Sequence, residues 1–299
     1  MKQRAEETEE TPQQIITAGV QNMSDAAAGA MTPITNVRRN IRRNRQRAGN
    51  QPPVPASAAD VIIPRQYQMT ARDGIFLRFD NGEGEADRIL IYMSEDGQQC
   101  LATSDFWFAD GTFKVVPEVF FQLYTIHSLT ANGSVFPSVN ALITNKRQDT
   151  YARVLREVSA IAGGVNGLQP TEVLIDFERA AMNAILDVFP DVEVKGCFFH
   201  MTQNVYRQVQ ARGLANAYQA DAEFALQLRM IPSLAFLPED DVIAGFNGLQ
   251  DYLPDNALPI LQSHAFGERD RYWGPFGRSW DAREARIAAN AIYNCSKKP

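Results

Sequence analysis

Cysteine is scarce in this sequence, with three residues in 299: Cys100, Cys197 and Cys295. An odd number of widely spaced cysteines does not fit the paired framework that staples small secreted domains. A disulfide scaffold is therefore excluded, and we expect a reducing compartment. Positive charge is also in deficit, since the net charge is −6. Taken as a whole, this is not the charge balance of a nucleic-acid binder.

Long apolar runs are absent as well. No stretch approaches the roughly 18 apolar residues that a membrane-spanning helix needs, and the opening MKQRAEETEE lacks the apolar segment of a secretory signal. We therefore expect no membrane partner. The patterns G-x-x-x-x-G-K-S/T, G-x-S-x-G and H-E-x-x-H are also missing. Their absence argues against P-loop nucleotide hydrolases, α/β-hydrolases and zinc metalloproteases.

The first 60 residues have no aromatic side chain and are rich in Ala, Gln, Asn, Thr, Arg and Pro. Such a segment buries too little apolar surface to offset its ordering entropy, so residues 1–60 are predicted to form a disordered tail. Six arginines crowd into ten positions of it: Arg38, Arg39, Arg42, Arg43, Arg45 and Arg47. This run indicates contact with DNA phosphates or a nuclear import signal, and the alternative is a solvated tail.

Residues 61–213 have the periodicity of an α/β domain. Apolar, β-rich segments at 88–93, 104–116, 120–129 and 134–144 have short links, which predicts an antiparallel meander. The pattern then alternates between helix and strand, with strands predicted at 172–177 and 192–200. Antiparallel strands followed by helix, strand, helix, strand and helix give the RNase H-like layout. It is a mixed sheet with helices on both faces.

The rest of the chain has two parts. Residues 214–262 are helical in pattern with breaks at Pro232 and Pro238, which predicts a helical insertion after the sheet. Residues 263–299 are polar and weakly periodic, and we interpret them as an incomplete C-terminal segment.

Two aspartates stand where apolar strand segments end. Asp110 lies at an Asp-Gly break within the predicted strand 104–116, and Asp176 ends the buried strand 172–177 where a helix begins. The RNase H-like order makes these strands neighbours, so the carboxylates would converge at one sheet edge. Converging carboxylates are the hard ligands that Mg²⁺ or Mn²⁺ requires for phosphodiester chemistry. The alternative for either residue alone is a turn or helix-cap aspartate. Glu178 is interpreted as a first-turn helix charge rather than an auxiliary ligand.

Cys197 and His200 form a C-x-x-H pair on the predicted strand 192–200. One cysteine and one histidine supply two zinc ligands, whereas a closed structural site needs four. The remaining candidates, His264 and Cys295, are distant, so zinc is possible there but not favoured over ordinary buried residues.

These motifs together resemble the transposase domain of Mutator-like elements. The resemblance rests on WFADGTFKVVP, FFQLYTIHS, LIDFERAAMNAI and GCFFHMTQNVYRQVQ in this order, and it extends from about residue 60 to about residue 266. It implies an RNase H-like fold with a DDE triad. Asp110 and Asp176 match the first two acids, and Cys197 and His200 match the family's Cys-His motif. It also implies DNA as partner, a homo-oligomeric strand-transfer complex and nuclear localisation.

The sequence departs from this family near its end. The resemblance places a third acid, a glutamate, downstream of the segment around Trp280, but the chain there continues as SWDAREARIAANAIYNCSKKP. Glu284 is the nearest candidate and is interpreted as a solvent-facing charge. We therefore expect a DDE-type transposase that ends before its third acid. The alternatives are a non-catalytic transposon-derived DNA-binding or regulatory protein and an RNase H-like nuclease unrelated to transposition.

Overall fold

The structure is a computed structural model. It describes residues 2–8, 10–21, 23–24, 32–47, 55–113, 115–164 and 167–265. The chain divides into two compact units, residues 1–56 (unit 1) and residues 57–299 (unit 2). None of the described helices is long and apolar enough to span a membrane.

Unit 1 contains three described helices: α1 (Lys2–Glu7), α2 (Pro12–Val20) and α3 (Ile34–Arg47). Helix α2 begins at a capping box, in which Thr11 and Gln14 bond each other's backbone N–H groups. The three helices pack around a small apolar cluster formed by Ala5, Ile15, Ile16 and Ile41. The prediction of a disordered tail was therefore wrong for the described residues. Three isoleucines and an alanine from three helices are enough to build this local core without any aromatic residue.

Unit 2 begins with the antiparallel strands β1 (Leu77–Asp80) and β2 (Ile89–Tyr92), followed by helix α4 (Glu95–Thr103). The central strands are β3 (Phe106–Thr112), β4 (Gln122–Leu129) and β5 (Val135–Ile143). Helix α5 (Gln148–Ala162), strand β6 (Glu172–Ile175), helix α6 (Arg179–Val188), strand β7 (Glu193–Gly196) and helix α7 (Phe198–Ala211) complete the sheet region.

The seven strands form one mixed sheet in the order β1-β2-β5-β4-β3-β6-β7. Strands β3, β4 and β5 form the predicted antiparallel meander, while β6 and β7 run parallel to β3. The segment 88–93, which we expected to open the meander, pairs with β5 instead of β3. Helix α4, which the sequence analysis did not predict, separates that strand from β3 in the chain.

Alternation along β3 divides the two faces of the sheet. Trp107 and Ala109 belong to the large core that helices α5 and α6 cover, whereas Phe106 and Phe108 belong to a smaller cluster on the other face. Strand β6 follows the same pattern, because its middle residue Leu174 joins the smaller cluster. Successive strand residues point to opposite faces. The packing of β3 and β6 therefore determines which of the residues that come next in the chain lie on the face of the smaller cluster.

The helical region that was predicted after the sheet consists of α8 (Ala215–Ala220), α9 (Ala222–Ser233), α10 (Glu239–Tyr252) and α11 (Leu258–Ala265). Its core includes Leu228, Ile231, Ile260 and Leu261, and Val209 of α7 packs against them. The helical prediction for residues 214–262 is confirmed. Trp280, Glu284 and Cys295 lie outside the described residues.

Candidate active site

The structure places Asp110 and Asp176 side by side. Asp110 is on β3, and Asp176 follows the last residue of β6. These strands pair in parallel with Ala109 opposite Ile175, so the next residue on each strand is an aspartate. The strand neighbourhood that the sequence analysis predicted is confirmed, and both carboxylates lie on the face opposite helices α5 and α6.

Asp110 and its neighbouring glycine are not a turn. Both lie within β3, and the Gly111 N–H donates to Asp110 Oδ1 at 2.9 Å. A Cβ at Gly111 would lie 2.8 Å from Gln122 Oε1 on the adjacent strand, so a larger residue here would displace the buried Gln122 side chain. Asp110 and Gly111 therefore continue strand β3 without a turn. Asp110 lies on one face of the sheet, and on the other face Gly111 leaves space for the Gln122 side chain.

The charged forms of the two carboxylates are less favourable in the folded chain than in water. Burial raises the pKa of Asp110, although His200 and the Gly111 N–H counteract this. Burial also raises the pKa of Asp176, and the charge of Asp110 raises it further. Two adjacent, partly desolvated carboxylates favour either proton uptake or a bound cation.

The Cys-His pair lies beside Asp110, but not on a strand. Strand β7 ends at Gly196, Cys197 is the N-cap of α7, and His200 is in the first helical turn. The predicted strand over 192–200 was therefore too long by its last four residues. An apolar run such as GCFF fits a buried strand and a buried helix start equally well, so periodicity could not decide between them.

Cys197 and His200 have different environments. Cys197 is 3% exposed and packs with Phe108 and Leu174, and burial raises its pKa to about 11, so its thiol stays protonated. His200 Nε2 is 3.8 Å from Asp110 Oδ1, while Nδ1 is buried and has no hydrogen-bond partner among the described residues. The histidine is therefore next to the carboxylate of Asp110. The cysteine packs against side chains of β3 and β6.

A hydrogen-bond chain that the sequence analysis missed runs through the core to a third acid. Gln122 Nε2 donates to the Tyr151 hydroxyl, and Tyr151 is hydrogen-bonded to Glu178. Glu178 is the N-cap of α6 rather than a first-turn residue, and its N–H donates to Asp176 Oδ1 at 3.3 Å. The chain joins residues far apart in sequence, so no local spacing could have revealed it.

Glu178 also has a cationic partner. Lys146 Nζ lies 3.9 Å from Glu178 Oε1. Burial raises the pKa of Glu178, while Lys146 and the Tyr151 hydroxyl counteract this. The Tyr124 hydroxyl is buried without a hydrogen-bond partner among the described residues, and burial together with the nearby acids raises its pKa. The charges of all three acids thus act on Tyr124, and among the described residues Glu178 is the one of the three that forms an ion pair with a lysine.

The described residues contain no group of three or more His, Cys, Asp or Glu side chains arranged to hold a metal ion. Neither the pair Asp110 and Asp176 nor the pair Cys197 and His200 belongs to such a group in the part of the chain that is described. The arginines of the 38–47 run belong to unit 1, where all six lie on helix α3.

The fold and the acid pair define an α/β domain with two carboxylates at the edge of a mixed sheet. Residues 106–204, from the start of β3 into α7, match the family model of the MULE transposase domain. The match is limited to this segment, and the DDE/RNase H-like superfamily is consistent with it.

A second similarity is more limited. The chain is 25% identical over 83 residues to the PKS-NRPS hybrid synthetase cheA of Chaetomium globosum. The match covers 28% of this chain and 2% of the synthetase, so the chain spans a very small part of that protein's length.

Proposed function

We propose that unit 2 is the RNase H-like catalytic core of a Mutator-like DNA transposase and that Asp110 and Asp176 are two of its metal ligands. The observation that carries this proposal is the pairing of Ala109 with Ile175, which brings the two aspartates together inside the segment matching the MULE domain. The sheet supports the fold assignment, because an antiparallel β5-β4-β3 meander continues into the parallel strands β6 and β7.

The donor chemistry fits Mg²⁺ or Mn²⁺. Magnesium is commonly bound by one or two carboxylates, with waters and substrate phosphates as the remaining ligands. The raised pKa values of Asp110 and Asp176 show that the folded chain leaves their charge undercompensated. When bound, the metal would supply activation of an attacking hydroxyl and stabilisation of the leaving oxygen. The backbone N–H groups of Gly111 and Glu178 orient the two carboxylates for this role.

The substrate that this chemistry implies is DNA. Water would cleave the phosphodiester at an element end, and the freed 3′-hydroxyl would then attack target DNA. The family resemblance further supports a nuclear location and a homo-oligomeric complex, and both are part of this proposal.

A second candidate is a non-catalytic, transposon-derived DNA-binding or regulatory protein. The observation in its favour is that the described residues assemble no group of three metal-binding side chains. The family's third acid is a glutamate, and the candidate Glu284 lies outside the described residues. The two proposals differ in one measurable property, which is metal-dependent cleavage of DNA.

Calorimetric titration of the full chain with Mn²⁺ or Mg²⁺ tests the metal site first. We expect saturable binding that Asp110→Asn and Asp176→Asn each abolish, while the exposed control Asp251→Asn binds as the wild type does. A nicking assay on supercoiled DNA with the same three variants tests catalysis. Metal binding without nicking favours the non-catalytic candidate, and no metal binding by the wild type contradicts the proposed active site.

A further inference from the structure

The arginines of helix α3 are divided between two roles. Arg45 faces the interior of unit 1, and its guanidinium donates to the carbonyl oxygens of Ala5 and Thr8 at 3.0 and 2.9 Å and to that of Glu10. Arg38 donates to the Gln13 side chain. These two side chains hold α3 against the α1–α2 region, so they are parts of the unit's own structure.

The other four arginines are exposed: Arg39, Arg42, Arg43 and Arg47. Within the part of the chain that the structure describes, none of their guanidinium groups bonds a side chain or a carbonyl. Their spacing of three and four residues places them on one side of α3. Val37 and Ile41 lie on the other side and pack into the apolar cluster of unit 1. We call this exposed set the arginine stripe.

The described residues of unit 1 form no ion pair with the arginine stripe. Helix α3 has 14 residues, six of them arginine and none acidic. From Arg39 to Arg47 the stripe extends about 12 Å, at about 1.5 Å per residue. Guanidinium groups match phosphate oxygens in charge and in hydrogen-bond geometry. The ligand that fits is therefore a regular, closely spaced row of phosphates.

We propose that the arginine stripe docks unit 1 on the phosphate backbone of duplex DNA, with α3 lying at the major groove. A helix fits the roughly 12 Å wide major groove of B-form DNA, but the deep, narrow major groove of duplex RNA excludes side chains. A membrane surface fits less well, because an interfacial helix inserts its apolar face, and Ile41 on that face is only 2% exposed. This inference concerns unit 1 alone and needs neither metal nor the acid pair of unit 2.

Salt-dependent binding of the full chain to a fluorescent DNA duplex, measured by anisotropy in EDTA, tests this surface. Each phosphate contact contributes about −0.9 to the slope of log K against log salt concentration. The quadruple variant with Gln at 39, 42, 43 and 47 should therefore lose about three to four units of slope, and each single variant about one. The charge-matched control replaces four exposed arginines of unit 2 by Gln: Arg65, Arg72, Arg153 and Arg156. It should keep the wild-type slope within about half a unit.

Arg45→Gln separates docking from folding. It should lower hydrogen-exchange protection in α1 and α2, because three carbonyl contacts are lost, whereas the quadruple variant should keep that protection. The proposal is overturned if the quadruple variant keeps the wild-type slope, or if the unit 2 control loses as much as the quadruple variant. It is also overturned if duplex RNA of the same sequence competes as well as DNA. Asp110→Asn should bind DNA in EDTA like the wild type, so a failure of the catalytic proposal leaves this result intact.

Discussion

Replacing one carboxylate of the acid pair should make the protein more stable. Burial and the charge of Asp110 raise the pKa of Asp176 in the folded chain. The charged form is therefore less favourable in the folded state than in the unfolded state at neutral pH. Asp176→Asn removes that charge, and the amide oxygen can still accept the N–H of Glu178. We expect a higher melting temperature for this variant than for the wild type.

The size of the effect follows from the sheet geometry. Neighbouring strands lie about 4.8 Å apart, and two unit charges about 5 Å apart repel by roughly 3 kcal/mol at an effective dielectric constant of about 20. Asp110 is 40% exposed at its side chain, so solvent screens much of this repulsion. We therefore expect about 1 kcal/mol, after discounting for exposure. For a domain of this size that corresponds to about 2–4 °C in melting temperature.

The pH dependence provides an internal check. A carboxyl group with a raised folded-state pKa binds its proton more tightly in the folded chain, so wild-type stability should rise as pH falls from neutral toward that pKa. The advantage of Asp176→Asn should shrink over the same range, because protonation removes the same charge. Thermal unfolding of both proteins between neutral and mildly acidic pH, with Asp251→Asn as the exposed control, measures this. A variant less stable than the wild type at neutral pH, or an advantage that grows on acidification, would refute the reasoning.

Four further substitutions test packing, three of them beside the acid pair and one on strand β1. Gly111→Ala should cost about 1–3 kcal/mol by overpacking, since its Cβ would meet Gln122 Oε1, and an unchanged urea midpoint would contradict this. Cys197→Ala should cost about 1–2 kcal/mol through a small cavity. Cys197→Ser should cost less because serine caps helices well, so equal melting temperatures of the two variants would argue against a capping role. Asp80→Asn should cost about 2–3 kcal/mol, as it leaves the buried Arg88 guanidinium unpaired, and calorimetry showing no loss would contradict that.

The strands that carry the acids could be predicted because their sequences are locally consistent. FWFA and EVLI are apolar runs bounded by turn residues, and their order in the chain was enough to predict that β3 and β6 are neighbours. Helix α5, which begins at Gln148, was also predictable, because its buried residues recur at helical spacing and Gly163 ends it. What those strands do chemically stays a prediction, because position at a sheet edge does not establish catalysis.

Other parts depended on contacts that no local pattern contains. Glu178 gains its two partners, Tyr151 and Lys146, only when the chain is folded. Gln122, which donates to the Tyr151 hydroxyl, comes from another strand. The helices of unit 1 are a different case, because a signal was present. The Thr11–Gln14 capping box is visible in the sequence. The prediction of a disordered tail depended on composition alone, and a composition average is weaker evidence than a specific cap.

The contrast between the acids of this site bears on what the site is for. Glu178 has a hydroxyl partner in Tyr151 and a cationic partner in Lys146, and both counteract the burial that raises its pKa. Among the described residues Asp176 accepts a backbone N–H, with His200 and Lys146 acting on it by charge alone, and Asp110 has a backbone N–H and a histidine 3.8 Å away. No lysine or arginine of the described residues forms an ion pair with either aspartate. A structural carboxylate would be expected to resemble Glu178, because an undercompensated pair costs stability. That cost lies in the segment that matches the MULE transposase domain, and it supports the proposal that the two aspartates bind an external cation.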